Sequence, residues 1–92
     1  MSDSVRGRSK ALFNNAYVLD VARAIGAGDE VVDSKTLQQR LSLGQSTVQR
    51  VLVTLEGVGL VERLERRTRT EPQQYRRVAH SFWAAAGELA DA

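Results

Sequence analysis

DSKTLQQRLSLGQSTVQRVLVTLEGVGLV, residues 33–61, holds two short apolar periods divided by a break. Leu37 and Leu41, four apart, mark one face of a helix over residues 34–42. Asp33 stands in front of them as N-cap, because its carboxylate can accept from a backbone N–H two or three residues on. After Ser42-Leu43-Gly44, the residues Val48, Val51, Leu52 and Leu55 fall at helical spacing and predict a second helix over residues 45–57. Gly59 suits the left-handed position that closes such a helix, and Leu60-Val61 opens a strand. With those four apolar positions turned inward, Gln45, Ser46, Thr47, Gln49 and Arg50 face out. Short donors and acceptors of this kind can read base edges or grip phosphates. A merely solvated polar face is the plain alternative.

Downstream, Leu60 to Arg67 alternates in character and Gln74 to Val78 forms a matching second strand. TRTEPQ lies between them as a loop, where Pro72, with no N–H to donate, belongs. Arg76 and Arg77 occupy opposite faces, so one must turn inward or snorkel. Residues 60–78 carry six arginines (Arg63, Arg66, Arg67, Arg69, Arg76, Arg77) against three glutamates. Net charge over the whole chain is only +2, so distribution argues more than total. Arginine outnumbers lysine eleven to two, and the planar guanidinium fork suits phosphate and guanine.

Upstream, Glu30-Val31-Val32-Asp33 reads as a short strand. LFNNAYVLDVARAI, within residues 11–27, reads as one long amphipathic helix whose apolar face is wide enough for two partners. Residues 1–10 have no apolar period and read as a flexible basic arm, with Arg6, Arg8 and Lys10 against Asp3. At the other end SFWAAAGELA forms a last helix, residues 79–92, which Ser81 could cap. Phe82 and Trp83 are adjacent, so both rings cannot lie on one narrow stripe.

The totals exclude several classes. Ninety-two residues make one domain with one modest core. The absence of cysteine removes disulfides and thiolate metal sites, and fits a reducing cytoplasm. No stretch has the length of a membrane span, and residues 1–10 do not resemble a signal peptide, so a soluble cytoplasmic protein is expected. One histidine, His80, and serines without a base and orienter make no catalytic set. His80 reads as a capping or surface residue. Neither a metal nor a cofactor is expected, and the glycines mark helix ends rather than a phosphate loop.

The run from Leu37 through Leu41, Leu43, Val48, Arg50, Leu52 and Leu55 to Gly59-Leu60-Val61 resembles the helix-turn-helix core of winged-helix bacterial transcription regulators. It is similar to the DNA-binding domains of the MarR, IclR and ArsR families, and STVQRVLVTLEGVGLVER is nearest the IclR and MarR type. Two positions depart from that pattern: Gly44 stands where a capping Ser is frequent, and Ser42 where the turn often has Gly. The resemblance implies a winged helix-turn-helix, mainly α with a small antiparallel β wing, over residues 11–78. It implies a sequence-specific regulator of double-stranded DNA, with helix 45–57 in the major groove. Gln45, Ser46, Thr47, Gln49 and Arg50 are its expected contacts. Ser34, Lys35 and Thr36 are expected to meet phosphate at an open helix start, and Arg66, Arg67 and Arg69 to touch the backbone or minor groove from the wing. Winged helices also serve as protein–protein modules within larger assemblies, but their recognition helix is then usually acidic or apolar outside.

A homodimer is expected, because regulators gain specificity by doubling the site through a two-fold axis. Only the terminal helices lie outside the recognition unit. They offer Leu12, Phe13, Ala16 and Tyr17, and then Phe82, Trp83, Ala86 and Leu89, as the seam. The alternative is that the last helix folds back to cover its own core. Ninety-two residues leave no room for the large ligand-sensing domain of IclR-type regulators, so any effector, whose identity the sequence leaves open, is expected at the dimer seam.

Overall fold

Residues 3–92 are described by the computed structural model, and side chains from Val5 onward. The described residues form α1 (Asp3–Phe13), α2 (Val18–Ala27), β1 (Val31–Asp33), α3 (Ser34–Leu41), α4 (Gln45–Gly57), β2 (Val61–Arg63), β3 (Gln74–Arg77) and α5 (Phe82–Asp91). Val48, Val51, Leu52 and Leu55 are buried, as the spacing of α4 requires. Burying each of these side chains contributes about 1.5–3 kcal/mol, far more than the weak helix preference of β-branched valine costs. They meet Val18, Leu19, Val21, Ala22 and Ile25 of α2, Leu37 of α3, and Tyr75 of the sheet in one core.

The ends of these helices are set by identifiable residues. Asp33 accepts from the Thr36 N–H at 2.7 Å and starts α3. Ser42 then takes a left-handed conformation, φ 54°, and turns the chain toward α4. That conformation explains why a glycine suits this position better than serine. Gly44, extended at φ −75°, is the N-cap of α4 and leaves it without a side-chain cap. Gly59, φ 79°, closes the same helix: Leu60 N–H reaches the Leu55 carbonyl at 2.9 Å and Gly59 N–H the Glu56 carbonyl at 3.0 Å. This is the paired-bond left-handed stop, with Leu55 and Leu60 both buried beneath it.

The sheet is antiparallel with order β1-β3-β2. β2 ends at Arg63 rather than Arg67. Leu64 N–H still reaches the Gln74 carbonyl at 2.9 Å, but the Gln73 carbonyl is already taken by the Ser34 N–H at 3.1 Å. Pro72, beyond them, has no N–H with which to extend the ladder. Arg77 is the arginine that turns inward. It donates to the Ile25 carbonyl at 2.7 Å and the Gly28 carbonyl at 3.0 Å, closing the C-terminal end of α2.

Three expectations are corrected at the termini. Residues 3–10 are the first turns of α1, not an arm; residues 1–2 of the expected arm lie outside the described residues. Arg8 donates to the carbonyls of Leu89 at 2.7 Å and Ala92 at 3.0 Å, which ties α1 to the end of α5. Ser9 is fully buried, donates to the Asn15 carbonyl at 2.6 Å and accepts from the Leu19 N–H at 3.2 Å. The single helix expected over residues 11–27 is two helices. Asn14 adopts φ 56° after Phe13, and Asn15 accepts the Tyr17 N–H on its amide oxygen at 2.8 Å, which redirects the chain into α2.

The last correction concerns α5. Trp83 is 9% exposed and Ala86 1%, both within the chain's own core, so neither can line a seam. The Trp83 indole N–H donates to the Val78 carbonyl at 2.8 Å, which sets the ring's direction. Phe82 is half-buried and meets Phe13 edge-on at 6.4 Å. Ser81 makes no cap; the Phe82 N–H donates to His80 Nδ1 at 2.9 Å instead. No helix among the described residues is long and apolar enough to cross a membrane.

Candidate nucleic-acid interface

The outward face of α4 follows from its buried one. Gln45, Ser46 and Arg50 are exposed and Thr47 and Gln49 half-exposed, over a helix clamped by four core side chains. The side chains of these five residues make no hydrogen bond or ion pair among the described residues. The first acidic residue of α4 is Glu56, two turns beyond Gln49, and its carboxylate accepts from Arg63 at 2.9 Å. That hydrogen bond, with the charge behind it, raises the Arg63 guanidinium above its ordinary value, and the helix sequence places no carboxylate ahead of Glu56. Val53, 51% exposed, lies three residues beyond Arg50 on the same outward side. Sequence reading passed over it because a valine beside a core stripe is ordinarily assigned to that stripe.

The start of α3 differs from expectation. Thr36 gives its backbone N–H and its hydroxyl to Asp33, at 2.7 and 2.9 Å, and Ser34 gives its N–H to Gln73. A carboxylate thus already fills the helix start where a phosphate was expected. Lys35 alone of the three is exposed. The N-terminus of α4, with no side-chain cap, is the open one.

The wing arginines divide into two groups. Arg63 pairs with Glu56, Arg76 pairs with Glu62 directly across the β2–β3 register, and Arg77 caps α2. Arg66, Arg67 and Arg69 are exposed in the loop between β2 and β3. The Arg67 N–H donates to Glu71 at 3.0 Å, and the Thr68 and Thr70 hydroxyls share a hydrogen bond of 3.1 Å, so the tip is shaped by its own residues.

A capped helix, a left-handed turn, a second helix with a polar outward face and a three-stranded sheet with a basic loop define a winged helix-turn-helix. Residues 18–65, 48 of the 92, match the model of the IclR helix-turn-helix domain, and the chain belongs to that family. The crystal structure of the transcriptional regulator BldR from Sulfolobus solfataricus has the same fold, with a TM-score of 0.73 at 19% identity. The match covers 98% of this chain and 66% of the BldR chain. No curated protein matches.

Proposed function

We propose that the chain binds double-stranded DNA sequence-specifically as a cytoplasmic transcription regulator, with α4 in the major groove. The observation that supports this most is α4 itself: four buried residues hold it, and the side chains of Gln45, Ser46, Thr47, Gln49 and Arg50 on its outward face have no partner among the described residues. Gln49 and Arg50 are suited to bidentate base contacts, and Gln45, Ser46 and Thr47 to phosphate or base edges near the uncapped helix start. Val53 extends the face with an apolar surface of the kind that meets a thymine methyl. Lys35 and the wing residues Arg66, Arg67 and Arg69 would hold the backbone, or the wing would enter the minor groove. Thr36 and Ser34 then support α3 rather than contact DNA.

The partner across a two-fold axis is a second copy. Its seam draws on Leu12 and Phe13 of α1, 59% and 39% exposed, with Phe82 and Leu89 of α5, whereas Ala16 and Tyr17 line the cleft beside Thr47 and Arg50 instead. Light scattering on the intact chain and on Phe13→Glu tests this. A dimer that the substitution dissociates is expected; a monomeric mass for the intact chain at micromolar concentration would overturn it.

Selection of binding sites from random duplex DNA tests the reading as a whole. Enrichment of an inverted repeat is expected. Failure to enrich any duplex sequence, with the folded chain confirmed by circular dichroism, would favour a protein-binding module instead.

A further inference from the structure

The basic residues of α1 are not equivalent. Arg6 sits 3.3 Å from Asp20 and over the Tyr17 ring, and Arg8 is bound to the end of α5. Lys10 is exposed and has no ion pair among the described residues. It borders a cleft of about 350 Å³ with Asn14, Asn15 and Tyr17 of the α1–α2 junction and Thr47 and Arg50 of α4. Among the described residues, two unpaired cations line this cleft and no carboxylate does. Two other clefts differ: one is lined by Asp33, Glu65 and Glu71 with Arg67, and one by Asp29 and Asp33 with Arg40, so each sets carboxylates against its one cation.

The cleft therefore favours an anion. Donors are present besides the charges. The Asn15 amide oxygen is occupied by the Tyr17 N–H, which leaves its NH2 for an acceptor, and Thr47 brings a hydroxyl. The size and polarity suit a phosphate with its neighbouring sugar. Thr47 and Arg50 belong both to the cleft and to the outward face of α4, so an anion seated here adjoins whatever α4 touches.

We propose that this cleft seats a backbone phosphate at the edge of the groove that α4 enters, with Lys10 as its principal cation. The proposal rests on the reading of α4 as a groove helix. It extends the interface to the α1–α2 junction, outside the segment that matches the family model, which begins at residue 18. Lys10 then contributes affinity without sequence preference, while Arg50 at the same rim remains able to reach a base.

The test compares salt dependence of binding to a selected duplex for the intact chain, Lys10→Gln and Arg6→Gln. Each variant removes one positive charge from α1, but only Lys10 borders the cleft. Lys10→Gln should weaken binding several-fold and lower the log–log salt slope by about one unit, the loss of one phosphate contact. Arg6→Gln should leave the slope unchanged. An unchanged slope for Lys10→Gln, or equal losses in both variants, would overturn the phosphate seat while leaving DNA binding by α4 intact. Inorganic phosphate titrated at constant ionic strength separates the two sources of such an anion. Competition at sub-millimolar concentration that Lys10→Gln abolishes would make the cleft a site for free anions and overturn the backbone assignment. An intact chain that binds no duplex would overturn both readings together.

Discussion

The outward face of α4 and the wing are both positively charged, yet they are built on opposite terms. α4 carries one arginine, and every polar side chain on its front half is without a partner among the described residues. The wing segment carries six arginines, of which Arg63, Arg76 and Arg77 are engaged by Glu56, Glu62 and the carbonyls of α2. At its tip, Glu65 and Glu71 stand beside Arg67. A rigid helix with open donors and acceptors is fit to discriminate, because a contact that cannot relax loses energy when the base is wrong. A loop shaped by threonines and one glutamate is fit to add charge and position. Charge available to a ligand is thus a different quantity from charge counted along the chain.

The largest expected effect removes the floor beneath α4. Leu52→Ala should destabilise the fold by about 2–5 kcal/mol in a denaturant melt, since Leu52 is fully buried. Specific binding should fail with it. A smaller loss would mean that the outward face is held by something other than this core.

Arg50→Ala sharpens the contrast directly. On a selected duplex it should cost about 1–3 kcal/mol by fluorescence anisotropy and much less on random DNA. Equal losses on both would assign Arg50 to the backbone, together with Lys10.

Replacing Arg66, Arg67 and Arg69 by Ala should do the reverse. Affinity for selected and random DNA should fall alike, and the salt slope should drop by up to about three units. A change in the selected sequence with an unchanged slope would make the wing a reader and break the comparison.

The smallest effect concerns the turn that sets α4 against α3. Ser42→Gly should stabilise the chain by about 0.5–1 kcal/mol in thermal denaturation, because the left-handed conformation costs a side-chain-bearing residue more than glycine. Affinity should not change.

How much of this was legible in the sequence varies with the range of the interactions. The helices over residues 34–41 and 45–57 and the stop at Gly59 are local features, and Leu37, Val48, Val51, Leu52 and Leu55 announce them by spacing. The break at Asn14-Asn15 was also local. A left-handed Asn followed by an Asn that bonds two residues on is a stop-and-start signal, but the apolar stripe running across it masked it. Helix α1 was not legible, because what holds it is distant: Arg8 with Leu89 and Ala92, and Ser9 with Leu19. The same holds for the arginines. That Arg77 is consumed by Ile25 and Gly28 depends on an approach of elements some fifty residues apart, which periodicity cannot report. The adjacency of Phe82 and Trp83 did show that the rings cannot share one narrow stripe; they meet edge-to-face at 5.3 Å, and the bond to the Val78 carbonyl goes with Trp83 as the inner one.

Titrating the isotope-labelled chain with a selected duplex, and following its amide resonances, decides whether α4 meets the DNA with its outward face while the wing and the α1–α2 junction flank it. The largest shifts are expected at Gln45–Arg50, with smaller ones at Lys10, Asn14 and Asn15 and at residues 66–69, and little change along the buried face of α5. Shifts confined to α5 and the exposed end of α1, with α4 unmoved, would contradict that arrangement.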